Sequence, residues 1–123
     1  MRSDSFPLPR VGTARWIVLL LACSARPDPA APLRVQYSPA GDSTRLTLIA
    51  SAGVRINARL KPALELSDGT LLRFDSPSLT ADSAYFAGRP SVLVAGPAKG
   101  IRGTLRASIC GDEAACRPFV LQL

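Results

Sequence analysis

The feature that most constrains this chain is a period of two. From Leu33 onward, apolar and polar side chains alternate in short runs, each closed by residues that turn the backbone. In the first run Leu33, Val35 and Tyr37 share one face and Arg34, Gln36 and Ser38 the other. Successive side chains of an extended strand point to opposite faces, so this pattern predicts a half-buried strand. Ser38-Pro39-Ala40-Gly41-Asp42 reads as a turn, and Leu46, Leu48 and Ala50 then alternate through Thr44 to Ser51. Gly53 breaks that run. Val54 and Ile56 begin a third strand, and Asn57 to Pro62 carries the chain into a bend, with Asn57 and Pro62 read as structural residues. Leu64 and Leu66 belong to a fourth strand, closed by the turn signal Ser67-Asp68-Gly69, and Leu72 and Phe74 to a fifth.

Asp75 to Pro90 interrupts the alternation. It holds Pro77, Gly88, Pro90 and the aromatic pair Tyr85-Phe86, and reads as a long loop. Connections longer than about 12 residues are uncommon and often functional. Ser91 to Ala95 is the next strand, followed by a turn over Gly96 to Gly100. A closing hairpin ends the chain. Ile101, Gly103, Leu105, Ala107 and Ile109 share its inner face, and Phe119, Leu121 and Leu123 point inward from the last strand. About seven or eight short strands, spaced roughly 8–12 residues apart, predict an all-β domain, either a sandwich or a small barrel.

The first 22 residues have the pattern of an export signal. Arg2, Arg10 and Arg15 make a basic start, and Trp16 to Ala22 a short apolar run. That run is too short for the roughly 20 apolar residues of a membrane-spanning helix. Leu20-Leu21-Ala22-Cys23 resembles a bacterial lipobox, which implies cleavage before Cys23 and lipidation of its thiol. The simpler alternative is an ordinary secretory signal cut near Ala25 or Ala30. Residues 23–32, with Pro27, Pro29 and Pro32, then form an extended tether, and residues 33–123 the folded domain. The chain is therefore expected outside the cytoplasm, anchored to a membrane and facing the periplasm or the cell exterior.

Export alters two counts. Three cysteines is an odd number, but with Cys23 lipidated the remaining Cys110 and Cys116 form an even pair in a disulfide-permissive compartment. Three of the 15 basic and one of the 9 acidic residues fall in 1–22, leaving 12 against 8, a balance of +4. The arginines stand singly along predicted strands, as expected for solvated faces, and no basic run interleaved with aromatics suggests nucleic-acid binding.

The chemistry on offer is narrow. With no histidine there is no Ser-His-Asp or Cys-His arrangement, and two cysteines with dispersed carboxylates make a poor zinc site. No phosphate-binding glycine motif is present, so no cofactor or metal is expected. The Cys110–Cys116 pair remains, one cysteine at each lip of a five-residue loop. Spacing alone favours a structural staple, because small exported domains often need one. Arg117 would favour a Cys116 thiolate while Asp112 and Glu113 would oppose it, so the local charges leave its ionisation undecided.

Three segments resemble the amino-terminal periplasmic domain of the DsbD thiol:disulfide interchange protein family. Gly53 to Pro62 is similar to that family's Gly-x-His-Ile-Asn…Pro stretch, with Arg55 in place of the histidine. Asp82 to Gly88 falls where the family carries an aromatic cap loop. Gly103 to Cys110, continued through Cys116-Arg117-Pro118, is similar to its Gly-x-Leu…Cys…Cys-x-Pro-Pro ending, with Phe119 at the second proline. The resemblance implies an immunoglobulin-like β-sandwich and thiol–disulfide exchange. In that scheme Cys116 forms the mixed disulfide, Cys110 resolves it, and Tyr85 and Phe86 shield the pair; plain core or loop packing is the alternative for the two aromatics. Partners would be thioredoxin-like or other redox proteins of the cell envelope. The competing expectation is a non-enzymatic lipoprotein interaction module held by a structural disulfide.

Overall fold

The computed structural model describes residues 31–112 and 115–123. The expected export signal, the Cys23 anchor and Glu113 lie outside the described residues. Among the described residues eight strands run in order as β1 (Leu33–Ala40), β2 (Ser43–Ala50), β3 (Arg55–Ile56), β4 (Ala63–Leu66), β5 (Leu71–Arg73), β6 (Ser91–Ala95), β7 (Gly103–Cys110) and β8 (Cys116–Gln122), with a 3-10 turn at Ala98–Gly100 before β7. No helix among the described residues is long and apolar enough to cross a membrane.

Local chemistry explains the hairpins. Ala40 pairs with Ser43, leaving Gly41 and Asp42 as a two-residue turn. Gly41 sits at φ 65°, the left-handed twist that such short turns require. Asp68 caps the β4–β5 turn by accepting the Thr70 N–H at 2.9 Å, and Gly69 adopts φ 93°.

Two antiparallel sheets result. The first has the order β1-β2-β6. In the second, β7 is the central strand. β8 pairs with it from Thr104↔Gln122 to Cys110↔Cys116. Its opposite edge is shared: β3 takes Cys110 and Ile109, and β4 takes Arg106 to Gly103. β5 lies outside β4. The chain leaves β7 after Asn57, whose N–H donates to Ser108 O, and rejoins it at Ala63 opposite Arg106. Between them Ala58 and Pro62 stay buried, and Arg59, Leu60 and Lys61 are extruded as a short turn.

The sheets bury a common core. Leu33, Leu46, Leu48 and Val94 from the first meet Ile56, Leu64, Leu105, Ala107 and Ile109 from the second, with Phe74, Phe86 and Ile101 filling in. This is an all-β sandwich, one of the two architectures that the period of two predicts. Phe119 and Leu121 of β8, and Leu123 just after it, pack against the core. The face shared by Leu33, Val35 and Tyr37 is not uniformly buried. Leu33 is fully enclosed and Tyr37 is exposed, because β1 runs out of the core toward its turn.

Asp75 to Pro90 is more ordered than a plain loop. Leu79 pairs with Phe86, Asp75 with Ser91 and Tyr85 with Asn57. Within it the tip is tied by side chains. Thr80 Oγ1 donates to Asp82 Oδ1 at 2.7 Å, the Tyr85 N–H donates to Thr80 Oγ1 at 3.2 Å, and Ser83 takes a positive φ of 59° to close the turn.

Candidate functional site at the loop end of the terminal hairpin

Cys110 and Cys116 end their strands directly opposite each other, with Cα atoms 4.0 Å apart, and are joined by a disulfide. The close approach is of the kind found at non-hydrogen-bonded antiparallel pairs, where opposing Cα atoms lie about 4.5 Å apart. Just beyond it the Gly111 N–H donates to Ala115 O, closing the loop.

The two half-cystines sit in unlike surroundings. Cys110 is 1% exposed, because β7 has a neighbour on each side, Arg55 of β3 and Cys116 of β8. Cys116 is exposed; β8 pairs with β7 alone among the described strands.

Arg55 organises the buried side. Its Nη2 donates to Gly111 O at 2.8 Å, and its guanidinium carbon lies 4.3 Å from the centroid of the Tyr85 ring. Its Nε is buried and has no hydrogen-bond acceptor among the described residues. Burying such a donor unpaired is costly, so an idle guanidinium N–H on the residue across from a half-cystine is notable. Nothing in the local sequence marks Arg55 as a site residue except its replacement of the histidine in the family-like stretch.

Tyr85 and Phe86 behave differently. Adjacent residues of an extended segment face opposite ways. Phe86 is buried in the core, while Tyr85 is half-buried on the outer side, over Arg55. Phe86 is thus an anchor for the segment, and Tyr85 is the aromatic presented toward the Arg55–Cys110 side. Asp112 lies over Gly53, with a carboxylate oxygen 3.6 Å from where a Cβ would stand. Gly53 has φ 80°, so a side chain there would be strained as well as crowded. Asn57 has the structural part expected of it: its Oδ1 accepts the N–H groups of Arg59 at 2.9 Å and Leu60 at 3.2 Å. Buried Pro62 accepts the Phe74 N–H through its carbonyl.

On the exposed side a groove of about 370 Å³ is lined by residues of the exposed turn, β4, β5, β7 and β8, Cys116 among them. Leu60 and Pro118 give it apolar walls, and Lys61, Arg73, Arg106 and Arg117 surround it with cations. No cluster of metal-ligating side chains exists among the described residues.

Fold and site together define a small all-β sandwich with a cross-strand disulfide at one end, joining an exposed residue, Cys116, to a buried one, Cys110. No family model, no curated protein and no solved structure matches the chain.

Proposed function

We propose that this chain is an extracytoplasmic thiol–disulfide exchange domain, working in the manner of the DsbD amino-terminal domain that its sequence resembles, with the immunoglobulin-like form of the sandwich that the resemblance implies. The observation that carries this reading is the asymmetry of the pair, with Cys116 exposed and Cys110 1% exposed. Exchange proceeds by attack of a thiolate on one sulfur of a disulfide, and access selects which sulfur. A partner thiolate attacks Cys116 Sγ, a new intermolecular S–S bond forms, and the Cys110–Cys116 bond breaks. The bonding electrons leave with Cys110 as a thiolate. A second thiolate of the same partner then attacks the partner's own sulfur in the mixed disulfide and releases Cys116. Two electrons have passed from the partner dithiol to this domain, and the reverse sequence returns them to an oxidised partner.

Arg55 supports the scheme, because its buried Nε–H lacks an acceptor and its positive charge favours the thiolate that Cys110 becomes. Tyr85, held over Arg55, serves as the cap residue, and Phe86 holds the cap segment from beneath. The reading extends to the leader: export, lipidation at Cys23, anchoring to a membrane and thioredoxin-like partners in the envelope belong to the same proposal.

The test is a Cys110→Ala variant, which leaves Cys116 unable to be resolved. It is expected to accumulate mixed disulfides with envelope proteins, and a reduction potential above about −300 mV is expected for the native pair. A potential well below that value, with no trapped species, would reject exchange. Cys23→Ser is expected to move the protein out of the membrane fraction. Burial of Cys110 favours the second reading, an interaction module with a structural disulfide, since enclosed sulfurs are usually inert; the same potential decides between the two.

A further inference from the structure

The groove beside Cys116 carries a second inference, which rests on the exchange reading and concerns what the partner must look like. Its apolar wall exists because Asn57 Oδ1 holds the backbone of the extruded turn, which lifts Leu60 to 62% exposure. Leucine held in solvent by a deliberate turn is unfavourable for the free protein, and a partner that covers it recovers that burial. Around it stand Lys61, Arg73, Arg106 and Arg117.

Two of the four cations have carboxylates nearby. Lys61 Nζ lies 2.8 Å from Asp75 and Arg106 Nη1 3.3 Å from Glu65, and all four side chains are about half exposed. Pairs this exposed are weak and exchange readily with another anion. Arg73 and Arg117 make no ion pair among the described residues. Among the described residues the groove therefore carries a surplus of two positive charges beside an apolar wall, and Cys116, the residue a partner attacks in the exchange reading, is part of its lining.

We propose that this groove docks an extended acidic segment flanking the reactive cysteine of the partner protein. An acidic residue would meet Arg73 or Arg117, and an apolar neighbour would cover Leu60. Complementary charge chiefly raises the rate of productive encounter, and the effect weakens as salt screens it.

The test uses the oxidised full-length protein and three synthetic peptides. Two contain one cysteine and the same apolar residue, flanked by two Glu or by two Lys; the third is the Glu peptide with serine in place of cysteine. The Glu peptide is expected to form the mixed disulfide at least about tenfold faster than the Lys peptide at low salt, with the ratio falling toward one at high salt. Arg73→Glu and Arg117→Glu are each expected to shrink the ratio, and Arg73→Gln by less, while circular dichroism verifies folding. Equal rates for the two peptides, or a ratio unmoved by both charge reversals, would overturn the docking inference and leave exchange standing. Saturable anisotropy of the serine peptide that Arg73→Glu abolishes supports docking even if no mixed disulfide forms, the outcome that would sink exchange alone. Vesicles rich in anionic lipid that sediment the protein through Arg73 and Arg117, without any peptide preference, would assign the groove to a membrane surface and overturn the proposal.

Discussion

Reducing the Cys110–Cys116 bond should lower the stability of the domain by about 2 kcal/mol and leave it folded. The magnitude follows from where the bond sits. The two cysteines are separated by 6 positions, so the loop the bond closes in the unfolded chain is among the shortest available. The loop-closure relation gives about 2 kcal/mol at 25 °C for a loop of that size, against about 4.7 kcal/mol for one of 100 residues. The hairpin itself does not depend on the bond. β7 and β8 remain in register from Thr104↔Gln122 to Ile109↔Arg117, and Phe119 and Leu121 stay packed on the core. For a domain of this size 1 kcal/mol corresponds to roughly 4–8 °C, so the melting temperature should fall by about 10 °C. By linkage, the same 2 kcal/mol makes the folded pair about 40 mV more reducing than an unstructured loop dithiol, a modest bias for a bond that is to be made and broken. The assay is thermal and urea denaturation of oxidised and phosphine-reduced protein, followed by circular dichroism. A reduced protein without a cooperative transition at 25 °C would refute the view that the strands carry the hairpin, and with it exchange as a reversible function. A melting temperature that does not move would refute the loop-closure argument.

Three further predictions concern other parts of the structure. Gly103→Ala should destabilise by about 1–3 kcal/mol in chemical denaturation, because its Cβ would stand 2.5 Å from Glu65 O and 3.1 Å from Leu66 Cα, both backbone atoms that must shift. Arg55→Gln should cost about 2 kcal/mol, by removing the charge over Tyr85 and the guanidinium bond to Gly111 O. Urea denaturation reads the loss, and an unchanged midpoint would refute the part given to Arg55 in holding the loop. Lys61→Met should raise the pKa of Asp75, which hydrogen bonds from Lys61 and the Ser76 N–H hold below the usual carboxylate range. The sign is that of a depressed acid: its contribution is complete above the unfolded pKa and lost as pH falls through the folded one, so the variant should lose less stability on acidification, measured by carboxyl chemical shifts and melts from pH 6 to 2.

Much of the fold was legible because strands advertise themselves through side-chain alternation. The run from Ser91 to Ala95 coincides with β6, and the inner face read for Ile101, Leu105, Ala107 and Ile109 is the buried face of the closing hairpin. The segment from Asp75 to Pro90 was legible only as an interruption. Its order comes from pairing with distant backbone, Tyr85 with Asn57 and Asp75 with Ser91, and no local period encodes a partner that far along the chain.

The site divides along the same line. The sequence alone determined that Cys110 and Cys116 face each other across a hairpin, since strand, short loop and strand leave few other arrangements. By spacing alone the two sulfurs are equivalent, because opposite residues of a hairpin share a face, and only the family resemblance singled out Cys116. The tertiary structure supplied the physical difference in exposure between the two residues. β7 is an interior strand at Cys110, flanked by Arg55 and Cys116, whereas β8 pairs with β7 alone. It also brought Arg55 under Tyr85 and gathered Lys61, Arg73, Arg106 and Arg117 from separate elements around one groove. Burial and charge at that end of the sandwich are sums over strands distant in the chain, so they exist only once the sheet is assembled.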